Sequence, residues 1–395
     1  MASSRVLRWV GLLGVALALP VLVPPAAPAV AADQCRPPAT ARLTQRSWAQ
    51  NRLDVERVWP LTTGLGQRVA VVDTGVDGKH PQLRGHVTTG YDVLTNTYDG
   101  DSDCHGHGTF VAGIIAAQPA SGIGFTGVAP GATVVPIRET NTDTVAVDDL
   151  ANAISAAVQF PGVDIINVST TTTGDDPRLR AAVNRALAAN IVVVAAAGND
   201  AQNGDAAKYP AVYPGVLAAG AIDSAGNRAG YSETVGIGVV APGQDLISTG
   251  AGGTGLVASA QGGTSFAAPY VAGVAALVRA YHPNLSAAQV VHRIEATADH
   301  PAGALPDRQF GWGVVDPYAA VTAVLPEEGQ QPLAAPSRSP VPLAAPAGPA
   351  EPDRSGTAYA LAGAALGVVL LGGATAVLIP LGRRRGWRSA LRDAR

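Results

Sequence analysis

The chain has 395 residues, enough for one large domain or two smaller ones, and its formal charge is only −3 at pH 7. So small a net charge speaks against nucleic acid, or any strongly charged surface, as its partner. Hydrophobic residues make up an ordinary 47% of it, but both ends carry apolar runs that must be set aside before a fold is argued.

The N-terminus opens with Arg5 and Arg8, continues through an apolar stretch from Trp9 to Val23, and reaches Ala29-Val30-Ala31. Basic residues, a short apolar core and small residues at an A-x-A site describe a secretory signal over residues 1–31. Pro20 and the shortness of the run count against an uncleaved anchor. Cys35 follows Ala-Asp-Gln, which is not a lipidation site. Residues 32–50 are polar, without a clear period, and read as an N-terminal extension. Cys35 and Cys104 are the two cysteines, and both fall in the exported part. An even count in an oxidising compartment favours a Cys35–Cys104 disulfide. Free thiols, or a metal held by Cys104, His105 and His107, are the competing readings. The metal lacks a second Cys/His group at ligand spacing.

From Arg68 the pattern becomes β/α. Arg68–Asp73, Ala132–Ile137, Val163–Val168, Ile191–Ala196 and Val216–Ile222 are short apolar runs of the kind expected of strands buried on both faces. Helical patterns lie between them at 107–117, 146–158 and 178–189. This alternation predicts a mostly parallel central sheet with helices on both faces. A buried helix follows from Phe266 to Tyr281. Ser286-Ala-Ala-Gln289 has the spacing of a capping box and opens another helix to about Ala298. The segment Gly311-Trp-Gly-Val-Val-Asp316 and a last short helix close a domain spanning 51–325.

Residues 326–356 read as a proline-rich linker. Eight prolines lie between Pro326 and Pro352, and Pro-Leu-Ala-Ala-Pro occurs at 332–336 and again at 342–346. Extended at ~3.1 Å per residue, this segment spans up to ~80 Å. Thr357 to Leu381 holds no charge over 25 residues, enough to cross ~30 Å of hydrocarbon as a helix. Arg383, Arg384, Arg385, Arg388, Arg392 and Arg395 follow it. That cluster places the 382–395 tail in the cytoplasm and the rest outside, in a single-pass arrangement at the cell membrane. The signal sequence gives the same orientation independently.

Three short motifs carry chemistry, each where a strand or loop meets a helix. Asp73 ends the first strong strand, in Asp73-Thr-Gly; a carboxylate at that place is costly unless it is hydrogen-bonded. His107 opens a small-residue helix in His107-Gly-Thr-Phe-Val-Ala-Gly113. The Gly-Thr register selects it over His105, which reads as a loop residue. Ser265, in Gly263-Thr-Ser265-Phe-Ala-Ala-Pro269, stands at the first turn of an apolar helix, where unfilled N–H groups favour negative charge. Taken alone, that serine is an ordinary N-cap. Asn199, in Ala195-Ala-Ala-Gly-Asn199, supplies a side-chain amide placed to donate to an oxyanion.

These four motifs, in the order Asp73, His107, Ser265 with Asn199 between, resemble those of the subtilisin family over residues 68–320. The resemblance implies a serine endopeptidase in which Ser265 attacks the peptide carbonyl, His107 takes its proton and Asp73 orients the imidazole. Asn199 and the Ser265 N–H would hold the oxyanion, and no cofactor or metal is required. Ser169, Thr170 and Thr171 occupy the place of a Ser-x-Gly stretch beside the family's substrate cleft. The bulkier Thr171 implies altered backbone pairing and pocket depth. The extension is shorter than the folding prodomains common in the family, which predicts a wrapping segment fixed by Cys35–Cys104 and not a removable inhibitor.

The whole arrangement, from signal to basic tail, is similar to that of the mycosins, actinobacterial proteases associated with type VII secretion. That likeness implies protein or peptide substrates, a secretion membrane complex as partner, and contact with lipid through 357–381. A structural subunit whose proteolysis is dispensable is the alternative.

Overall fold

The computed structural model describes residues 35–142 and 144–329. The expected signal segment, most of the linker, the apolar run 357–381 and the basic tail lie outside them. Among the described residues no helix is long and apolar enough to cross a membrane.

Seven parallel strands form the central sheet in the order β2-β3-β1-β4-β5-β6-β7. They are β1 (Arg68–Asp73), β2 (Tyr91–Asp92), β3 (Thr133–Arg138), β4 (Ile165–Val168), β5 (Val192–Ala196), β6 (Leu217–Ile222) and β7 (Val239–Pro242). The five expected strands are all present, to within two residues at either end. The continuous apolar runs have the expected cause. In β1, Val69 and Val71 face one core while Ala70 and Val72 face the other, and all four are fully buried.

Helices α3 (Val147–Gln159) and α4 (Pro177–Ala188) pack together on one face of the sheet. On the other lie α2 (His107–Ala116) and α5 (Thr264–Tyr281), followed in sequence by α6 (Ala287–Ala296) and α7 (Pro317–Thr322). The sequence of α5 is apolar on nearly all sides because it crosses the sheet beneath other elements, and every residue from Thr264 to Val278 is buried. Asp176 caps α4 ahead of Pro177, and the capping box at Ser286 and Gln289 closes both reciprocal bonds.

Four features carry too few residues to show a period. α1 (Trp48–Leu53) lies partly within the stretch read as extension. Its capping box, Ser47 with Gln50, starts a helix whose Ala49 and Leu53 enter the core. Strand β7 is four residues long and β2 only two. A separate antiparallel hairpin joins β8 (Leu246–Thr249) to β9 (Leu256–Ser259). The sheet aligns the carboxyl ends of β1, β3, β4 and β5 on one edge, where open α/β sheets place their ligands.

Candidate active site

Asp73 is the last residue of β1 and is completely buried. Its Oδ1 accepts from the Thr74 N–H at 2.8 Å, and the carboxylate faces His107 Nδ1 at 2.8 and 3.0 Å. A carboxylate only accepts, so Nδ1 carries the ring proton. Nε2 is then the acceptor for the Ser265 hydroxyl, 3.1 Å away. The imidazole is also held flat. Phe266 stacks on it at 4.9 Å and 28°, and Phe110 lies 4.6 Å from Phe266. His107 is the first residue of α2 and Ser265 the second of α5, so a rigid helix carries each. Ser265 also stands among the first-turn N–H groups that a helix leaves without an internal acceptor. Such an arrangement can move a proton from a serine hydroxyl to an imidazole, with the Asp73 charge beside it. His105 lies in the bend before α2, as expected.

Asn199 follows β5 and reaches the same place. Its Oδ1 accepts from both the N–H and the hydroxyl of Thr264, at 2.8 and 2.9 Å, so its amide N–H groups remain for another acceptor. A β-carbon at Gly263 would sit 2.8 Å from Ser265 Oγ and 3.4 Å from Asn199 Nδ2, so hydroxyl and amide both lie close to that glycine. Gly198 holds the turn: at φ +110° a β-carbon there would come within 2.5 Å of Lys208 Cγ.

Around these groups runs a cleft of about 1140 Å³, lined by Asp73, His107, Asn199 and Ser265 together with Ser169, Thr170 and Thr171. The seven residues singled out in the sequence for catalysis and substrate binding therefore meet at one site. Arg36 and Pro37 line the same cleft. They are held there by the Cys35–Cys104 disulfide (Cα–Cα 4.4 Å) and by the Arg36 N–H bond to the Cys104 carbonyl at 3.0 Å. The bond consumes the sulfur that a Cys104, His105, His107 metal site would have needed. Among the described residues no group of His, Cys, Asp and Glu is arranged to hold a metal ion.

Sequence reasoning missed Asp103. Its carboxyl accepts from the N–H groups of Gly106 and Thr109 and from the hydroxyls of Thr74 and Thr109, at 2.6–3.0 Å. Thr74 in turn accepts from the Gly108 N–H at 3.0 Å. Burial pushes the Asp103 carboxyl up from the ordinary range, against these hydrogen bonds. Asp103 thus ties the end of β1 to the start of α2. The signal that could have found it is an Asp ahead of an uncapped glycine at a helix start.

The profile of the Subtilase family, peptidase S8, matches residues 64–313. Mycosin-4 of Mycobacterium tuberculosis is 37% identical over 366 residues, covering 80% of this chain and 78% of its own. Among solved structures, MycP1 from Mycobacterium smegmatis superposes with a TM-score of 0.67 at 31% identity, covering 77% of this chain and 92% of that one. The MycP3 protease from the type VII (ESX-3) secretion system gives 0.64 at 35% identity, over 73% and 94%. The chain belongs to the subtilase family of serine proteases, and within that family it is closely related to the mycosins.

Proposed function

We propose that this chain hydrolyses peptide bonds with Ser265 as nucleophile, His107 as general base and acid, and Asp73 as the group that orients and stabilises the imidazolium. The observation that carries this reading is the unbroken hydrogen-bonded line from Asp73 through both ring nitrogens of His107 to Ser265 Oγ. As the hydroxyl adds to the peptide carbonyl, its proton passes to Nε2. The carbonyl oxygen becomes an oxyanion between Asn199 Nδ2 and the Ser265 N–H. Collapse of that intermediate breaks the C–N bond, and Nε2 returns the proton to the leaving amine. Water then repeats the sequence on the acyl-enzyme. Ser169, Thr170 and Thr171 form the wall against which the peptide lies.

The enzyme acts, in this reading, outside the cell, tethered by the apolar run Thr357–Leu381 with the arginine cluster inside. Its place is beside a type VII secretion complex, whose exported proteins are its substrates. Replacing Ser265 by Ala in the full chain should lower turnover about a millionfold, the scale known for another subtilase, and abolish labelling by a serine-directed phosphonate. Proteolysis persisting in that variant would remove Ser265 as nucleophile. In the host, secretion that fails with Ser265→Ala supports processing as the essential task. Secretion that survives Ser265→Ala but fails on deletion assigns the chain a scaffold role.

A further inference from the structure

Glu139 directly follows β3 at the same edge of the sheet and is only 1% exposed. Ile137 and Val168 both face the core beneath α3 and α4. Two residues further along each segment, alternation puts Glu139 and Thr170 on that same side. There the Thr170 hydroxyl donates to Glu139 Oε1, across the end of β1. The Glu139 N–H is bonded to the Asp73 carbonyl at 2.9 Å. One residue thus joins the strand that ends in Asp73 to the segment that lines the cleft through Thr170.

The charges that bear on this carboxyl are Asp73 and, from α3, Asp149, both negative. Arg138, its neighbour in sequence, points the other way and gives Nη1 to Asp92 at 2.8 Å. No cation pairs with Glu139 among the described residues, and its Oε2 has no hydrogen-bond partner among them either. Burial pushes the carboxyl up to about 8, so at neutral pH it keeps its proton. An apolar side chain would occupy this place without the cost of desolvating a carboxyl. What the carboxyl adds is an acceptor for Thr170.

We infer that Glu139 is a positioning residue for substrate binding, which through Thr170 fixes the 169–171 wall of the cleft in the place that receives the peptide. The inference rests on the reading of that wall as substrate-binding. It has a consequence on the alkaline side. Loss of the proton leaves a carboxylate facing Asp73 and Asp149 with no cation to receive it. The Thr170 hydroxyl favours that charge, but burial and the two aspartates outweigh it. The carboxylate is drawn toward water, Thr170 is pulled with it, and the wall is displaced. The effect falls on KM, because neither group touches the reacting atoms.

The test uses the full chain in detergent, a peptide substrate, and active sites counted with the phosphonate. In the parent enzyme KM should rise above about pH 8. Glu139→Gln keeps the acceptor and removes the titration, so that rise should disappear. Glu139→Leu and Thr170→Val remove the bond and should raise KM roughly fivefold to tenfold, while the double variant is no worse than either alone. An alkaline rise retained in Glu139→Gln would overturn the inference. So would an unchanged KM in Thr170→Val with an unaltered melting temperature, and this variant serves if Glu139→Leu does not fold. Thr171→Trp narrows the wall without touching Glu139. If it leaves KM unchanged, the substrate-binding reading itself fails. If it raises KM while Thr170→Val does not, only the role of Glu139 falls.

Discussion

Asn199 shows how one side chain can be aimed by using up half of its hydrogen-bonding capacity. Both donors of Thr264 fill its Oδ1, so the amide can present only N–H groups to the cleft. Asn199→Ala should therefore lower kcat about 10²–10³-fold with little change in KM, the magnitude found for the equivalent loss in a subtilisin. Asn199→Asp should do no better, because a carboxylate cannot donate. A variant with an unaltered kcat would take Asn199 out of the reaction. The residue types and spacings of Asp73, His107, Asn199 and Ser265 were legible in the sequence, because each sits at an element's end marked by small residues. Glu139 and Asp103 were not. Their importance comes from groups that approach them in space, and neither stands in a motif that announces it.

Segments far from it in the chain hold the histidine helix in place. The β8–β9 hairpin gives the hydroxyls of Ser248 and Thr249 to the Phe110 and Thr109 carbonyls, each at 2.7 Å. The segment after Cys35 is bonded to the same hairpin through the Ala39 and Ala41 carbonyls, which accept from Thr254, Gly255 and Leu256. Cys35–Cys104 closes this belt across a separation of 69 residues. Removing it with Cys35→Ser and Cys104→Ser should cost about 2–4 kcal/mol of stability, read as a lowered urea midpoint relative to the parent chain. An unchanged midpoint would mean that the hairpin bonds suffice. The long strands and helices of this frame were legible from apolar runs. The hairpin, β2, β7 and α1 were not, since two to six residues carry no distinguishable period. The α1 capping box was written in Ser47 and Gln50, but so short a helix is stabilised by its burial in the core and not by its own propensity.

At the scale of the whole molecule, a buried acid leaves a mark on stability. Glu139 keeps its proton to about 8 in the folded chain, whereas an ordinary glutamate gives it up near 4.5. Between those values the folded state binds more protons than the unfolded one, so this group makes stability fall as pH rises, by at most about 1.4 kcal/mol per pH unit. Glu139→Gln should flatten that decline in urea unfolding followed from about pH 5 to 8. Parallel curves for parent and variant would contradict the buried, protonated state. The sequence alone determined the five longer strands with the helices between them, the family, and the four groups offered for the chemistry. These depend on local periodicity and on residue types at element ends, which are properties of neighbours along the chain. Only the tertiary structure decided that Phe266 clamps His107, that Asp103 ties β1 to α2, and that Glu139 reaches over β1 to Thr170. Each of those is a contact between segments distant in sequence or carried on separate elements. Their meeting is set by strand order and register, which no single segment encodes.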